Sequence, residues 1–242
     1  MRTVSITLLL IALCGAVVIG CSKKTVPTAP PADAAATSIS GTVRDFNGLP
    51  LPGVSIVMVF YSRQYRHFGA KACSLIEFTA NPGDDHVGVH WADSLESDNY
   101  QWVVQRAVKA DVPSFQTIAS LPAAGTSPHA NVYSYADSNA TNGRLLYYRL
   151  DEVDLSGGHR YHGPCAVYTQ TAHTDAHGAY LFTSVPVDEV IPVLGTAGAT
   201  IGTDTIGTTY SLYMVYNGSY SAWDTITVSR DAANRIDFTF YR

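Results

Sequence analysis

Charge is scarce in this chain. Only 14% of its 242 residues are Asp, Glu, Lys or Arg, which does not fit the charge-rich composition of a disordered segment. The formal net charge of −5 excludes the basic surface that nucleic acid requires. Catalytic signatures are missing as well: there is no H-E-x-x-H, no G-x-S-x-G turn and no Gly-Lys-Ser/Thr phosphate loop. Ser, His and Asp are present, but nothing in their spacing brackets a triad. The eight histidines do not gather either. His86 and His90 share a strand face about 13 Å apart at strand rise, too far for one ion. His159 and His162 fall on opposite faces of a regular strand, and His173 and His177 flank a turn with Asp175 and read as solvated polar residues. The runs from Asp137 to Gly143 and from Asp151 to Asp154 offer too few ligands for calcium and read as a turn and as solvated acids. The expectation is no catalytic residue, no metal ligand set and no cofactor.

Long apolar runs are also rare. The one over residues 6–19, broken by Thr7 and Gly15, falls short of a comfortable membrane span. It follows Arg2 and closes with Val18, Ile19, Gly20 and Cys21, the pattern of a secretory signal over residues 1–20. Those last four residues resemble a bacterial lipobox, which implies that Cys21 is diacylated and becomes the first residue of the mature chain. Ser22, Lys23 and Lys24 carry neither the Asp that marks inner-membrane retention in lipoprotein families nor an acidic export run. Lipid attachment to the outer membrane is expected, with the facing side open. Residues 21–38 read as a lipidated Pro/Ala tether without apolar periodicity.

What the chain does have is tyrosine, 15 residues of it, which suits packed β-structure. Its length leaves room for two ordinary domains, each burying its own core. Residues 39–59, ISGTVRDFNGLPLPGVSIVMV, set two strand-like runs around a turn of Asn47, Gly48, Pro50, Pro52 and Gly53. Glycine there supplies positive φ and proline fixes φ without donating, a hairpin signal. In Gly41, Val43, Asp45, Gly48, Pro50, Leu51, Pro52, Gly53 and Val54, and again downstream in Thr174, Asp175, Gly178, Tyr180, Phe182, Val185 and Pro186, the chain resembles the carboxypeptidase regulatory-like domain. That family is a seven-stranded β-sandwich of transthyretin-like type. The resemblance implies one discontinuous domain, residues 39–61 plus 174–242, with later strands over Tyr210 to Tyr216, Ile226 to Val228 and Ile236 to Phe240. It carries no activity over: the H-x-x-E metal motif of the zinc carboxypeptidases has its nearest approach in His90-Trp91-Ala92-Asp93.

Between those halves, residues 74–168 also alternate as strands. Val87, Val89 and Trp91 share one face, as do Tyr100, Trp102 and Val104. Trp91, Glu96, Asp98, Asn99, Val104, Gln105 and Arg106, then Phe115, Ile118, Tyr133, Tyr135 and Asp137, then Tyr147, Tyr148, Arg149, Leu150, Val153, Asp154, Gly157 and Tyr161, form a spaced set. It is similar to the fibronectin type III-like modules of secreted Bacteroidetes proteins. The implied fold class is all-β: two antiparallel β-sandwiches, a fibronectin III-like module inserted into a carboxypeptidase regulatory-like sandwich. Trp91 would be a core indole, and a Tyr at 147 or 148 a tyrosine corner. Such modules begin and end at opposite poles, whereas an insertion prefers termini that lie close. Either a neck, residues 62–72 or 163–174, folds back, or the neck strands extend a shared sheet. Cys73 and Cys165 bracket the insert, and in an exported chain a disulfide between them would staple its start and finish, worth ~4 to 5 kcal/mol of unfolded-state entropy. Two buried thiols are the alternative. Residues 187–209, rich in Gly, Thr and Ala, exceed ordinary loop length and read as disorder, a mobile hairpin or a binding loop.

The role expected is that of a non-catalytic, lipid-anchored cell-envelope protein for adhesion, structure or protein interaction. Its partners would be the membrane, through lipid on Cys21, and another envelope or surface protein met by edge strands or exposed aromatics. The alternative is a carbohydrate-binding accessory module whose polysaccharide ligand stacks on solvent-facing Tyr or Trp. The two ask different things of the fold: exposed aromatics in a row for sugar, an open edge or flat apolar patch for protein.

Overall fold

The computed structural model describes residues 37–61, 73–109, 114–194, 199–221, 223–230 and 234–241. The expected signal, Cys21, the tether as far as residue 36 and the first neck lie outside the described residues. The rest of the chain, Ala35–Arg242, is one compact unit. Its strands are β1 Ile39–Asp45, β2 Ser55–Tyr61, β3 Cys73–Gly83, β4 His86–Ala107, β5 Gln116–Ser127, β6 Asn131–Asp137, β7 Leu146–Asp154 and β8 His159–His173. They continue with β9 Ala179–Phe182, β10 Glu189–Leu194, β11 Thr200–Ile206, β12 Thr209–Tyr216, β13 Ser219–Tyr220, β14 Asp224–Thr227, β15 Asn234–Arg235 and β16 Phe238–Phe240. The chain is all-β, its sheets packed as sandwiches and antiparallel except where β1 meets β15 and β16.

The expected turn forms where Asn47 and Gly48 stand, but it folds the end of β1 back only onto residues 49–51. β1 and β2 do not pair and belong to different sheets, so the two runs face each other across the sandwich and are not a hairpin. The Asp45 carboxylate accepts the backbone N–H groups of Asn47 and Leu49, and Gly48 takes φ 80°, the local capping that makes Asp and Gly turn residues. β1 pairs antiparallel with β9 and parallel with β15 and β16, so the first and last described strands are neighbours. Ile39 and Val43 of β1, Tyr180 and Phe182 of β9 and Phe238 and Phe240 of β16 share one core with Ile56 and Met58 of β2 and Tyr210, Leu212 and Met214 of β12. The segments on either side of the insert therefore close a single sandwich.

The insert is organised by β4, a strand of 22 residues. Through Val87 to Asp93 it pairs with β6, with β3 on its other edge, and from Asn99 onward it pairs with β5 and β7. One strand thus passes from one layer to the other. The ladder shifts register on both sides of Asn99, and Asp98 sits at φ 57°, as a bulge at a sheet corner does. The layers are β3-β4-β6 and β5-β4-β7-β8, six strands with β4 contributing to both. Trp91 from the first half of β4 meets Trp102 from the second at a centroid distance of 6.1 Å, with Tyr133 of β6 stacked on Trp91 at 5.4 Å. The same bulge corrects one expectation: Tyr100 does not share the Trp102 face but is turned outward, 58% exposed, because the extra residue shifts the two-residue period by one.

The two sandwiches are joined by a sheet. β8 is unbroken across the expected second neck: its first part pairs with β7 and its last part with β2, making a ten-stranded sheet through β12-β2-β8-β7-β4. Neighbouring β8 residues point to different cores. Cys165 and Val167 enter the core of the insert, and Tyr168 enters the core shared by β1, β2 and β12. Alternation along one strand therefore places the two cores on opposite faces of one sheet, and the neck is the sheet itself.

No disulfide is seen among the described residues. Cys165 is buried and its thiol donates to the Phe78 carbonyl at 3.6 Å. The Cys73 side chain lies outside the described residues. Its backbone, opposite Glu96, stands five residues up β3 from Phe78, about 17 Å at strand rise, whereas a bridge needs α-carbons within about 7 Å. The staple expected of this pair is replaced by the continuous strand. Residues 187–209 also differ from a structureless loop: β10 and β11 form a two-stranded antiparallel ribbon, with residues 195–198 outside the described part.

Candidate binding cleft

Because the insert packs on the face of the shared sheet away from the β1 core, the end of β3 overhangs β2 and β12. Outward residues of those strands, Val59 and Ser211, form a floor; Asn81 and Pro82 of β3 form one wall, and Trp223, just before β14, forms the other. The cleft measures about 420 Å³, within the range of small-ligand sites. Trp223 is 60% exposed and Tyr220 is 72% exposed. Half-buried Tyr213 of β12 braces both, with ring centroids 4.5 Å from Trp223 and 6.2 Å from Tyr220, the latter tilted by 31°. The Asn81 amide reaches only Thr79 Oγ1, at 3.5 Å. Among the described residues neither the Asn81 carbonyl oxygen nor the Ser211 hydroxyl has a side-chain partner.

The overhanging β3–β4 turn is pinned in place. Asp84 Oδ1 accepts Asn142 Nδ2 at 2.6 Å and Thr171 Oγ1 at 2.9 Å, while Asp85 and Asn142 exchange bonds with each other's backbone N–H at 3.2 and 3.1 Å. The Asp84-Asp85 turn and the Asn-rich loop are thus a clamp fixing one wall of the cleft to β8. Asp84 also contributes, after burial, to raising the Tyr213 hydroxyl above its ordinary range.

A second polar set is enclosed. Asp93 of β4 is fully buried opposite Leu75 and Asn131. Its Oδ1 accepts Asn131 Nδ2 at 3.0 Å. Glu96 accepts Trp102 Nε1 at 3.0 Å, the Tyr133 hydroxyl at 2.8 Å and the Ala124 N–H at 2.7 Å. Burial, then the Glu96 carboxyl, pushes Asp93 up to about 7. Asp93 therefore takes up a proton in the native state at a higher pH than an ordinary carboxyl does, and its buried Oδ2 has no hydrogen-bond partner. The native state binds this proton between the unfolded carboxyl's range near 4 and pH 7, so stability from this site is complete below about pH 4 and is lost as pH rises through 7. Asp93→Asn, which keeps the shape without the charge, is expected to flatten the fall in unfolding free energy between pH 5 and 8, a difference on the order of a few kcal/mol. Urea titrations at the two pH values measure it; equal slopes for both proteins would remove the charge from the account.

Asp151 and Glu152, read as solvated, are instead buried. Asp151 takes His159 Nδ1 at 3.0 Å and Glu152 takes His162 Nε2 at 3.0 Å, on opposite sheet faces. Arg149 lies between Phe115 and Tyr161, 4.3 Å from each ring centre. Asp137, read as a turn residue, is buried and accepts the Tyr148 hydroxyl and Arg106, each at 2.7 Å; Tyr148 thus bonds a carboxylate at the β6–β7 corner. His177 and Asp175 are exposed 3.9 Å apart, and His173 meets Ser55. Among the described residues no group of three His, Cys, Asp or Glu could hold a metal.

The cleft escaped sequence reasoning because its residues come from four separate strands or turns. The one local hint was Trp223 itself, an indole set among Ser, Asn and Gly outside any alternating run. No family model, curated protein or solved structure matches this chain.

Proposed function

We propose that this chain is a non-catalytic, lipid-anchored cell-envelope protein, a fibronectin III-like sandwich nested in a regulatory-like sandwich, that works by binding through the cleft at their seam. The observation that carries the reading is the pair of exposed rings, Trp223 and Tyr220, braced by Tyr213 beside a pinned wall. Solvent-exposed indole and phenol held in place are costly to leave uncovered and typify recognition surfaces. The nested architecture is supported by the two-layer order of the insert, six strands with β4 shared between the layers, and by Trp91 in its core. Support for the anchor comes from the signal pattern ending at Cys21.

Two measurements test the reading. The full-length protein is expected to incorporate palmitate and sediment with outer membrane, and Cys21→Ser to lose the label; an unlabelled protein that never reaches the envelope would overturn the anchor. A photo-crosslinking side chain at position 211, on the floor of the cleft, is expected to give a discrete adduct in cells. Lack of any adduct there, while the protein is folded and exported, would remove the cleft as a binding site.

A further inference from the structure

We infer that the ligand of this cleft is a neutral oligosaccharide, a proposal that rests on the cleft being the binding site. The first reason concerns what the floor can offer. β2 is hydrogen-bonded on both edges, to β12 and β8, and β12 is bonded to β2 on one edge and to β13 and β14 on the other. With these ladders filled, no strand of a protein partner can be added there, so recognition falls to side chains.

The second reason is the chemistry of those side chains. Trp223 presents its ring in the cleft, where Asn81 and Ser211 present an amide carbonyl and a hydroxyl, and exposed Tyr220 stands beside it, joined through Tyr213. A pyranose is the complementary object: its C–H face is apolar and lies on an aromatic ring, while its rim of hydroxyls needs neutral donors and acceptors. A lipid chain or apolar peptide would leave Asn81 and Ser211 buried without partners, at a cost in free energy.

The third reason is charge. The chain is net negative at −5, and the Asp84 carboxylate, in the turn that follows the Asn81-Pro82 wall, acts on Tyr213. No Lys or Arg lines the cleft. An acidic glycan would find no cationic partner in the cleft and a net negative chain around it, which selects neutral sugars from the wider class.

The chain carries its own probe. Of its three tryptophans, Trp91 and Trp102 are buried and Trp223 alone is exposed, so a ligand-induced change in emission reports on the cleft. Full-length protein would be titrated with hexasaccharides of β-1,4-glucose, α-1,4-glucose, β-1,4-xylose, α-1,6-mannose and β-1,4-N-acetylglucosamine, and with an oligogalacturonate as the acidic control. A blue shift and saturable binding are expected for at least one neutral hexasaccharide and not for the galacturonate. Trp223→Phe, which silences the signal, is read by calorimetry alongside Trp223→Ala. The Ala variant is expected to lose at least about tenfold in affinity, since stacking side chains dominate such contacts. Tyr100→Ala, an exposed aromatic far from the cleft, should bind as wild type. Near-ultraviolet circular dichroism from Trp91 and Trp102 verifies that each variant is folded.

The inference is overturned if no neutral hexasaccharide binds, if the acidic one binds better, or if Trp223→Ala binds normally. The adduct at position 211 separates this from failure of the cleft itself. An adduct lost on protease digestion of the partner keeps the cleft and removes the saccharide, whereas no adduct removes both.

Discussion

Trp102→Ala is expected to lower the unfolding free energy by at least about 4 kcal/mol, the upper part of the range for truncating a buried aromatic. The indole is fully buried and meets Trp91, Tyr133 and His162 at centroid distances of 6.1, 6.2 and 5.7 Å. Its loss removes packing from the bend of β4, where no neighbouring backbone can collapse without breaking the ladders to β5 and β7. It also takes Trp102 Nε1 away from Glu96 Oε1, withdrawing a donor from a buried carboxylate. Against a total stability of about 5 to 15 kcal/mol, the variant should be near the limit of folding. Trp102→Phe restores much of the volume without the donor and should recover part of the loss; Tyr133→Phe, which removes a different donor from Glu96, should cost about 1 to 2 kcal/mol. Chemical denaturation followed by circular dichroism measures all three. A change below 1 kcal/mol for Trp102→Ala would mean that the indole is not the centre of this core. Because β8 serves both cores, the denaturation of Trp102→Ala should remain one transition. Two separated transitions would show that the shared sheet does not couple the sandwiches.

The second large effect lies at the other end of the molecule. A methyl group added at Gly41 would run into the backbone carbonyl oxygen of Ile236 and the Tyr180 hydroxyl, which are themselves bonded at 2.7 Å. Ile236 N–H donates to the Ser40 carbonyl at 3.0 Å, so the segment between β15 and β16 cannot retreat without giving up that bond. Gly41→Ala is therefore expected to cost at least about 3 kcal/mol, at the high end for overpacking because the obstacle is backbone. Adding Tyr180→Phe removes the hydroxyl and leaves the carbonyl, so the double variant should recover little. Full rescue by Tyr180→Phe would place the clash on the side chain and refute the backbone argument. Both variants are read from melting curves of the full chain.

Gly41 also illustrates how much of the fold was readable beforehand. Its place in the opening hairpin pattern was recognised by resemblance, yet the reason for it is a close approach between β1 and a segment 195 residues later. The alternation of Val87, Val89 and Trp91 identified a buried face from the chain alone, and all three are buried. The same rule failed at Tyr100, where a bulge shifts the period. Acidic side chains were misjudged for a related reason: Asp137, Asp151 and Glu152 look solvated in any window of sequence, and each is buried by partners such as Tyr148, His159 and His162 that it meets only across the sheet. One signal for the shared sheet was present and local. From Pro164 to Thr169 every residue is buried, and such a run, lacking alternation, marks a strand covered on both faces.

By itself, then, the sequence determined what a single strand or turn can encode: the two-residue rhythm of its strands, the Asp45 to Gly48 turn, the indole at Trp91 and the all-β class. These depend on the residue and its immediate neighbours, whose alternate burial is written in alternate polarity. Only the tertiary structure decided that β8 belongs to two cores, that burial beside Glu96 raises the Asp93 carboxyl, and that Val59, Asn81, Ser211 and Trp223 meet in one cleft. Those outcomes depend on which distant strands become neighbours, and a pairing between residues more than a hundred positions apart leaves no periodic trace in either partner alone.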